Sequence, residues 1–243
     1  MALNKQKVLV TRAQTQAEEF AQALIRAGAE PVKMPVIEIR FLEAELPAIE
    51  DFDLLILTSK NGVDALSRQL DTIPKELQVV CVGQKTSMAL TRSFPATKPI
   101  VPERFDEDGI ISLLKSRLGP FQGRRVLCPQ AVQAKARFAD YLREQGAIVE
   151  LLPMYSIEKK TELGPLDEMV EYVTFFSGRS LEAFVEHADA ARAYLNKRRI
   201  AVIGEVTAAR ADELDVRVDI IPAEATLEAM IEAIKKDMED RER

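Results

Sequence analysis

Short runs of Val, Ile and Leu alternate along the chain with longer segments in which apolar residues recur every three or four positions. The runs predict strands at residues 7–11, 32–39, 53–57, 79–82 and 98–101, then at 125–128, 148–157, 172–176, 200–203 and 216–221. Several are apolar without interruption, as parallel strands covered on both faces require. The intervening segments predict helices. Phe20, Leu24 and Ala27 mark one apolar stripe, Phe138 and Leu142 another, and Leu181, Phe184, Val185 and Ala188 a third. Gly28 and Gly146 stand where a helix should stop, each able to take the left-handed conformation of a C-terminal cap. Strand and helix alternating in this way predict an α/β fold with parallel sheets.

The pattern occurs twice. A shift of 118 positions places Gly28-Ala29 on Gly146-Ala147, Val8-Leu9 on Val126-Leu127, Phe20 on Phe138, Pro35 on Pro153 and Ser59 on Ser177. Later the shift becomes 121, pairing Gly83 with Gly204 and Thr86 with Thr207. One register held through strand, cap, proline and loop points to duplication of a unit of about 115 residues, an ordinary domain size. Each copy supplies three loops after strands: Thr11-Arg12 and Pro129-Gln130; the runs from Thr58 to Gly62 and from Phe176 to Ser180; and those from Gly83 to Ser87 and from Gly204 to Ala208. Open α/β sheets bind ligands at the carboxyl ends of their strands. Small and hydroxyl residues there leave helix-start N–H groups available to carboxylate or phosphate oxygens. The same residues also serve as plain helix caps, and the pattern alone leaves both roles open.

Composition narrows the chemistry. Among 243 residues, 39 acidic side chains outnumber 33 basic ones, for a formal charge of -6, which weighs against duplex nucleic-acid binding. No apolar run reaches the roughly 18 residues of a membrane span, and the N-terminus lacks the apolar core of a secretory signal. Cys81 and Cys128 sit in apolar runs and read as buried thiols in a reducing cytosol. His187 is the single histidine, which excludes a multi-histidine metal site, and its helical context suggests a surface or packing role. Neither a Gly-x-x-x-x-Gly-Lys loop nor a Gly-x-Gly-x-x-Gly turn is present. The inventory suggests chemistry without nucleotide, metal or flavin.

The run from Val8 to Arg12, the run from Leu57 to Val63, Val82-Gly83-Gln84-Lys85-Thr86, Phe175-Phe176-Ser177, the run from Ile203 to Ala208 and Thr226-Leu227-Glu228-Ala229-Met230 together resemble the uroporphyrinogen-III synthase family. Each motif is weak alone; their order and spacing are more specific, and the likeness runs from about Val8 to Ile234. The resemblance implies two flavodoxin-like parallel-sheet domains joined by two crossing strands, with a cleft between them. The chain would cross near the paired prolines, Pro35 and Pro153, giving a discontinuous domain of residues 1–35 and 161–243 and an inserted domain of residues 36–160. The repeat alone suggests a simpler cut near residue 120.

The resemblance further implies a hydro-lyase of haem biosynthesis. Such an enzyme closes the linear tetrapyrrole hydroxymethylbilane to uroporphyrinogen III, losing water and inverting the last ring through a spiro intermediate. By the family pattern Tyr155 is the candidate proton donor to the departing hydroxyl, with packing as its other possible role. Thr11, Arg12, Ser59, Asn61, Thr86, Ser177, Gly178, Arg179 and Thr207 are the candidate substrate-binding residues. No cofactor, nucleic acid or membrane partner is expected, and the protein is expected to be a cytoplasmic monomer. Lys60 and Lys85 are nearby cations that solvent exposure would explain equally well. The family usually carries an arginine where this chain has Gln130, which cannot make a charged bidentate contact. The alternative of another class is a non-catalytic, two-lobed cytosolic sensor of a small anion.

Overall fold

The computed structural model describes residues 3–187 and 189–242; Ala188, the last residue of the third apolar stripe, lies outside them. Its elements are β1 (Lys7–Val10), α1 (Gln14–Arg26), β2 (Glu30–Lys33), β3 (Ile37–Phe41), β4 (Leu54–Leu57), α2 (Lys60–Leu66), β5 (Gln78–Cys81), α3 (Gln84–Ser93), α4 (Glu107–Leu113), β6 (Arg125–Ala131) and α5 (Arg137–Glu144). They continue with β7 (Ile148–Lys159), β8 (Tyr172–Phe175), α6 (Gly178–His187), α7 (Asp189–Leu195), β9 (Arg199–Val202), α8 (Glu205–Glu213) and α9 (Leu227–Glu242). Helices α1 and α5 end where expected, at Gly28 (φ 86°) and Gly146 (φ 84°), conformations that a Cβ would strain.

The strands form two sheets, in the orders β2-β1-β8-β9 and β3-β7-β6-β4-β5. The ladders β1–β2, β1–β8 and β8–β9 run parallel, as do β4–β5, β4–β6 and β6–β7. Two compact units result, Met1–Glu38 with Glu158–Arg243, and Ile39–Ile157. The chain passes from one to the other within β3 and again within β7, which are neighbours in the second sheet.

The duplication and the sheets do not share boundaries. The first sheet takes β1 and β2 from one copy and β8 and β9 from the other; the second takes β4 and β5, with β3 at its edge, from one copy and β6 and β7 from the other. With β1 and β6 counted as strand 1 of their sheets, both contain the flavodoxin-like order 2-1-3-4-5, the second carrying β3 as an extra edge strand. The fifth position is held in each by a single bridge, Val80 to Ile100 and Ala201 to Ile220.

Three strand expectations change. Residues 32–39 are not one strand: Pro35 interrupts them, β2 remains in the first sheet and β3 enters the second. Residues 98–101 make only the Ile100 bridge, because Pro99 and Pro102 have no N–H to offer a ladder. Residues 216–221 likewise make one bridge; the Asp219 carboxylate accepts the Ile200 N–H (2.8 Å), a ladder position a backbone carbonyl would otherwise fill. A fourth difference concerns Pro129-Gln130, expected in a loop but found within β6. The β4 ladder stops at Leu127, so Pro129 stands where only β7 pairs with the strand.

The apolar strands divide by alternation onto two faces, as their two-residue period dictates. Leu9, Val173, Phe175, Ile200 and Val202 face α6, α7 and α8, while Val8, Val10, Tyr172 and Ala201 face α1 and α9. In the second sheet Leu55, Leu57, Val79, Cys81 and Leu127 face α2 and α3; Leu54, Ile56, Val80, Val126 and Cys128 face α4 and α5. Each fully buried aliphatic side chain of this kind stabilises its layer by roughly 1.5–3 kcal/mol. The backbone at the strand ends is thereby held rigidly enough to aim the loops that follow.

Candidate functional site

Within the unit Ile39–Ile157 the chain leaves β4 into Ser59, the N-terminal cap of α2. Ser59 Oγ accepts the Gly62 N–H (3.0 Å) and lies 2.7 Å from the Tyr155 phenol oxygen. A side chain at position 62 would bring its Cβ to 3.1 Å from the Pro129 carbonyl, so glycine lets α2 start close against β6. Tyr155 arrives from β7 after a slip in register: Gln130 pairs with Pro153 but Ala131 with Tyr155, leaving Met154 as the extra residue. Such bulges re-aim the side chains that follow them. Tyr155 is 4% exposed. Burial raises its pKa above the ordinary phenol value, the Ser59 hydrogen bond opposing this in part, so the hydroxyl keeps its proton at neutral pH.

The arrangement can work as a relay. Ser59 Oγ, already accepting from Gly62, can donate to Tyr155, which leaves the phenol hydrogen for another acceptor. Ser59 thus serves both as helix cap and as hydrogen-bond partner of Tyr155. Asn61 follows in the first turn of α2, partly exposed, and Lys60 pairs with Asp64 at 4.0 Å, as a solvated helix-surface lysine does. Gly83 is the N-terminal cap of α3. Thr86 lies buried within that helix's first turn and is not the cap residue. The nearby thiols are not nucleophiles, since burial pushes both Cys81 and Cys128 up to about 12.

The other unit repeats the plan with different chemistry. Thr11 is fully buried and donates its hydroxyl to the Thr174 carbonyl, while Thr174 donates to the Leu9 carbonyl, both at 2.7 Å. This reciprocal pair locks β1 to β8 and engages the Thr11 hydroxyl in the fold. Arg12 is different. Its guanidinium lies 4.4 Å over the Phe176 ring and donates to Gln16 (3.2 Å), while its buried Nε has no hydrogen-bond partner. Desolvation lowers its pKa, with Glu19 opposing, yet a guanidinium remains charged at pH 7. Ser177 accepts the Ser180 N–H (3.2 Å), the counterpart of Ser59 and Gly62. Gly178 is required by α8, because a Cβ there would approach Arg210 to 2.8 Å. Arg179 is partly exposed in the first turn of α6, and Thr207 is buried in that of α8.

Position by position, the copies differ where it matters. Tyr155 has Ile37 as its counterpart, Arg12 has Gln130, and Gly62 has Ser180. The phenol–hydroxyl pair therefore belongs to one unit and the cation–π arginine to the other. Sequence reasoning missed Phe176 as the support of Arg12, although its place beside Ser177 was a usable signal. His187 Nε2 accepts the Leu163 N–H (2.9 Å), so the single histidine serves the fold.

Comparison with known proteins supplies the family. The model of uroporphyrinogen-III synthase HemD matches residues 18–232. A uroporphyrinogen-III synthase from Synechococcus elongatus is 30% identical, with 94% of each chain covered. The fold is that of uroporphyrinogen-III synthetase from Helicobacter pylori, at 20% identity and a TM-score of 0.67, covering 96% of this chain and 99% of that one. A mutant of the Thermus thermophilus enzyme, 17% identical, gives a TM-score of 0.62 over 97% of this chain and 99% of its own. With nearly the whole length matched, the chain belongs to the uroporphyrinogen-III synthase family.

Proposed function

We propose that this chain is a hydro-lyase that cyclises hydroxymethylbilane to uroporphyrinogen III in haem biosynthesis, acting as a cytoplasmic monomer without a cofactor. The family match over residues 18–232 carries this reading. It leaves the anion-sensor alternative without support. Among the described residues no helix is long and apolar enough to cross a membrane.

The chemistry fits the few reactive groups on hand. Departure of the terminal hydroxyl is driven by the adjacent pyrrole nitrogen; the C–O bond breaks, and the pyrrole N–H proton completes a water molecule. An azafulvene remains. Because burial disfavours its phenolate, Tyr155 is suited to hydrogen-bond the departing oxygen rather than to surrender its proton. The last ring then attacks through its substituted carbon, and the resulting spiro intermediate fragments and recloses inverted. What the protein adds is geometry, for which restricted orientation can contribute roughly 7–11 kcal/mol. Ser59, Asn61, Ser177, Gly178 and Arg179 are proposed to meet substrate carboxylates. Thr86 and Thr207, being buried, are proposed to set the helix starts around them.

Arg12 is proposed as the charged clamp, its half-buried guanidinium still having Nε to satisfy. A charge-assisted hydrogen bond of about 1.5–3 kcal/mol predicts that Arg12→Ala raises KM roughly ten- to a hundredfold with little change in kcat. Wild-type KM should rise with salt and that of the variant should rise less. Equal KM values at every ionic strength would remove the clamp. The decisive test of the function is to feed freshly made hydroxymethylbilane and separate the oxidised products. Predominantly III isomer is expected; I isomer alone rejects the assignment.

A further inference from the structure

Of ten phenylalanines and four tyrosines, Phe105 alone is exposed, at 59%. A single exposed apolar residue is ordinary on a protein surface, so the meaning of Phe105 lies in what it touches and in what the other copy has in its place. It belongs to the unit Ile39–Ile157, between the Ile100 bridge and α4, and its neighbours are tied down. Asp106 caps α4 by accepting the Gly109 N–H, and Arg104 donates to the same carboxylate, both at 2.7 Å. The ring lies on Gly83: a Cβ there would stand 3.1 Å from Phe105 Cβ and 3.2 Å from Cγ. Phe105 thus covers the turn that opens α3, at the carboxyl end of β5. Val132, just past β6, is exposed as well.

The duplication supplies a comparison inside the molecule. A shift of 120 positions places Pro102 on Pro222 and Asp106 on Thr226, and the cap is preserved, since Thr226 accepts the Ala229 N–H (3.1 Å). Phe105 falls on Ala225, and a Cβ on Gly204 would meet nothing within 4 Å. The loop can therefore be built without the ring. An aromatic surface has been added to one copy, in the unit that also holds Tyr155 and Ser59.

We propose that Phe105 is a substrate-stacking residue, its open face lying against a pyrrole ring of the linear tetrapyrrole. The inference rests on the proposed cyclase function and deepens it. Ring stacking restricts a flexible chain of pyrroles without using charge, which complements carboxylate contacts. Exposed Lys85, in the first turn of α3, gives the same turn a positive charge for a ring substituent.

Steady-state kinetics, product isomer ratio and Tm of Phe105→Ala, Phe105→Leu and Phe105→Tyr provide the test. Phe105→Ala is expected to raise KM about tenfold, equivalent to roughly 1.4 kcal/mol, and to increase the share of I isomer with Tm unchanged. Phe105→Tyr should restore both values, and Phe105→Leu, which keeps the contact with Gly83 but no aromatic face, should not. If Phe105→Ala lowers Tm, Phe105→Leu decides: wild-type KM in that variant overturns the proposal. So does wild-type KM and isomer ratio in Phe105→Ala, or a concentration-dependent mass of the wild type that Phe105→Ala abolishes, which would assign the ring to self-association. Wild-type protein yielding only I isomer overturns the cyclase reading itself.

Discussion

Tyr155→Phe is expected to lower kcat about 100-fold, the lower end of what a positioned proton-sharing group contributes, while KM stays within a factor of about three of wild type. The buried ring remains and one oxygen is lost. Ser59 keeps its bond from Gly62, so the stability cost is that of a single net hydrogen bond, about 1 kcal/mol. Kinetics and unfolding therefore separate the two roles of this side chain: a packing tyrosine would lose the same stability with no change in turnover. The pH dependence gives an independent reading. Burial raises the Tyr155 pKa, so its protonated form persists and any alkaline loss of activity due to this group begins above the ordinary phenol value of about 10. A decline near pH 8 in wild type that disappears in Tyr155→Phe would contradict that direction. Ser59→Ala should lower kcat by less, because the phenol hydrogen survives while its orienting partner is gone.

The largest effect on stability is expected at Gly109. In Gly109→Ala the new Cβ would stand 1.9 Å from the Arg104 carbonyl oxygen and 2.8 Å from its carbon, both backbone atoms that cannot rotate away. Displacing that loop also disturbs the Asp106 cap, worth about 1 kcal/mol. Alanine gains roughly 1 kcal/mol of helix propensity over glycine, but overpacking of a rigid site costs about 1–3 kcal/mol or more. A net loss of at least ~2 kcal/mol follows from a clash this deep combined with loss of the cap. Urea denaturation measures it. The duplicated position, Ala229, offers the opposite case: there Ala229→Gly should destabilise by only about 1 kcal/mol, through propensity alone. If Gly109→Ala is as stable as wild type, the Arg104–Asp106 loop is not held as described.

How much of this was legible beforehand depended on which interactions recur locally. Uninterrupted apolar strands, the capping glycines and the register of the repeat are local signals, and the structure follows them closely. The edge segments at Ile100 and Ile220 were misread because apolarity suggests a strand but says nothing about available N–H donors. Prolines in one case and the Asp219 carboxylate in the other took the ladder's place. Ser59 and Ser177 were legible as caps from their place before helices, whereas the Ser59–Tyr155 contact, spanning 96 positions, was not. Thr11 ends a strand beside Arg12, and only the β1–β8 ladder shows that its hydroxyl donates to the Thr174 carbonyl. Phe105 was invisible to pattern reading, since exposure of an apolar residue is a property of the folded surface.

The exchange of strands between repeats has a consequence for vectorial synthesis. As the polypeptide leaves the ribosome, Ile39–Ile157 contains every strand its sheet needs except for the ends of β3 and β7, and can close while translation continues. The segment β1–α1–β2 is made before that unit yet waits longer for its partners, because β1 lies between β2 and β8, and β8 is made only after the other unit is complete. This earlier segment is therefore buried after the unit that follows it, and a nascent chain halted before β8 would leave Leu9 without the cover of α6, α7 and α8.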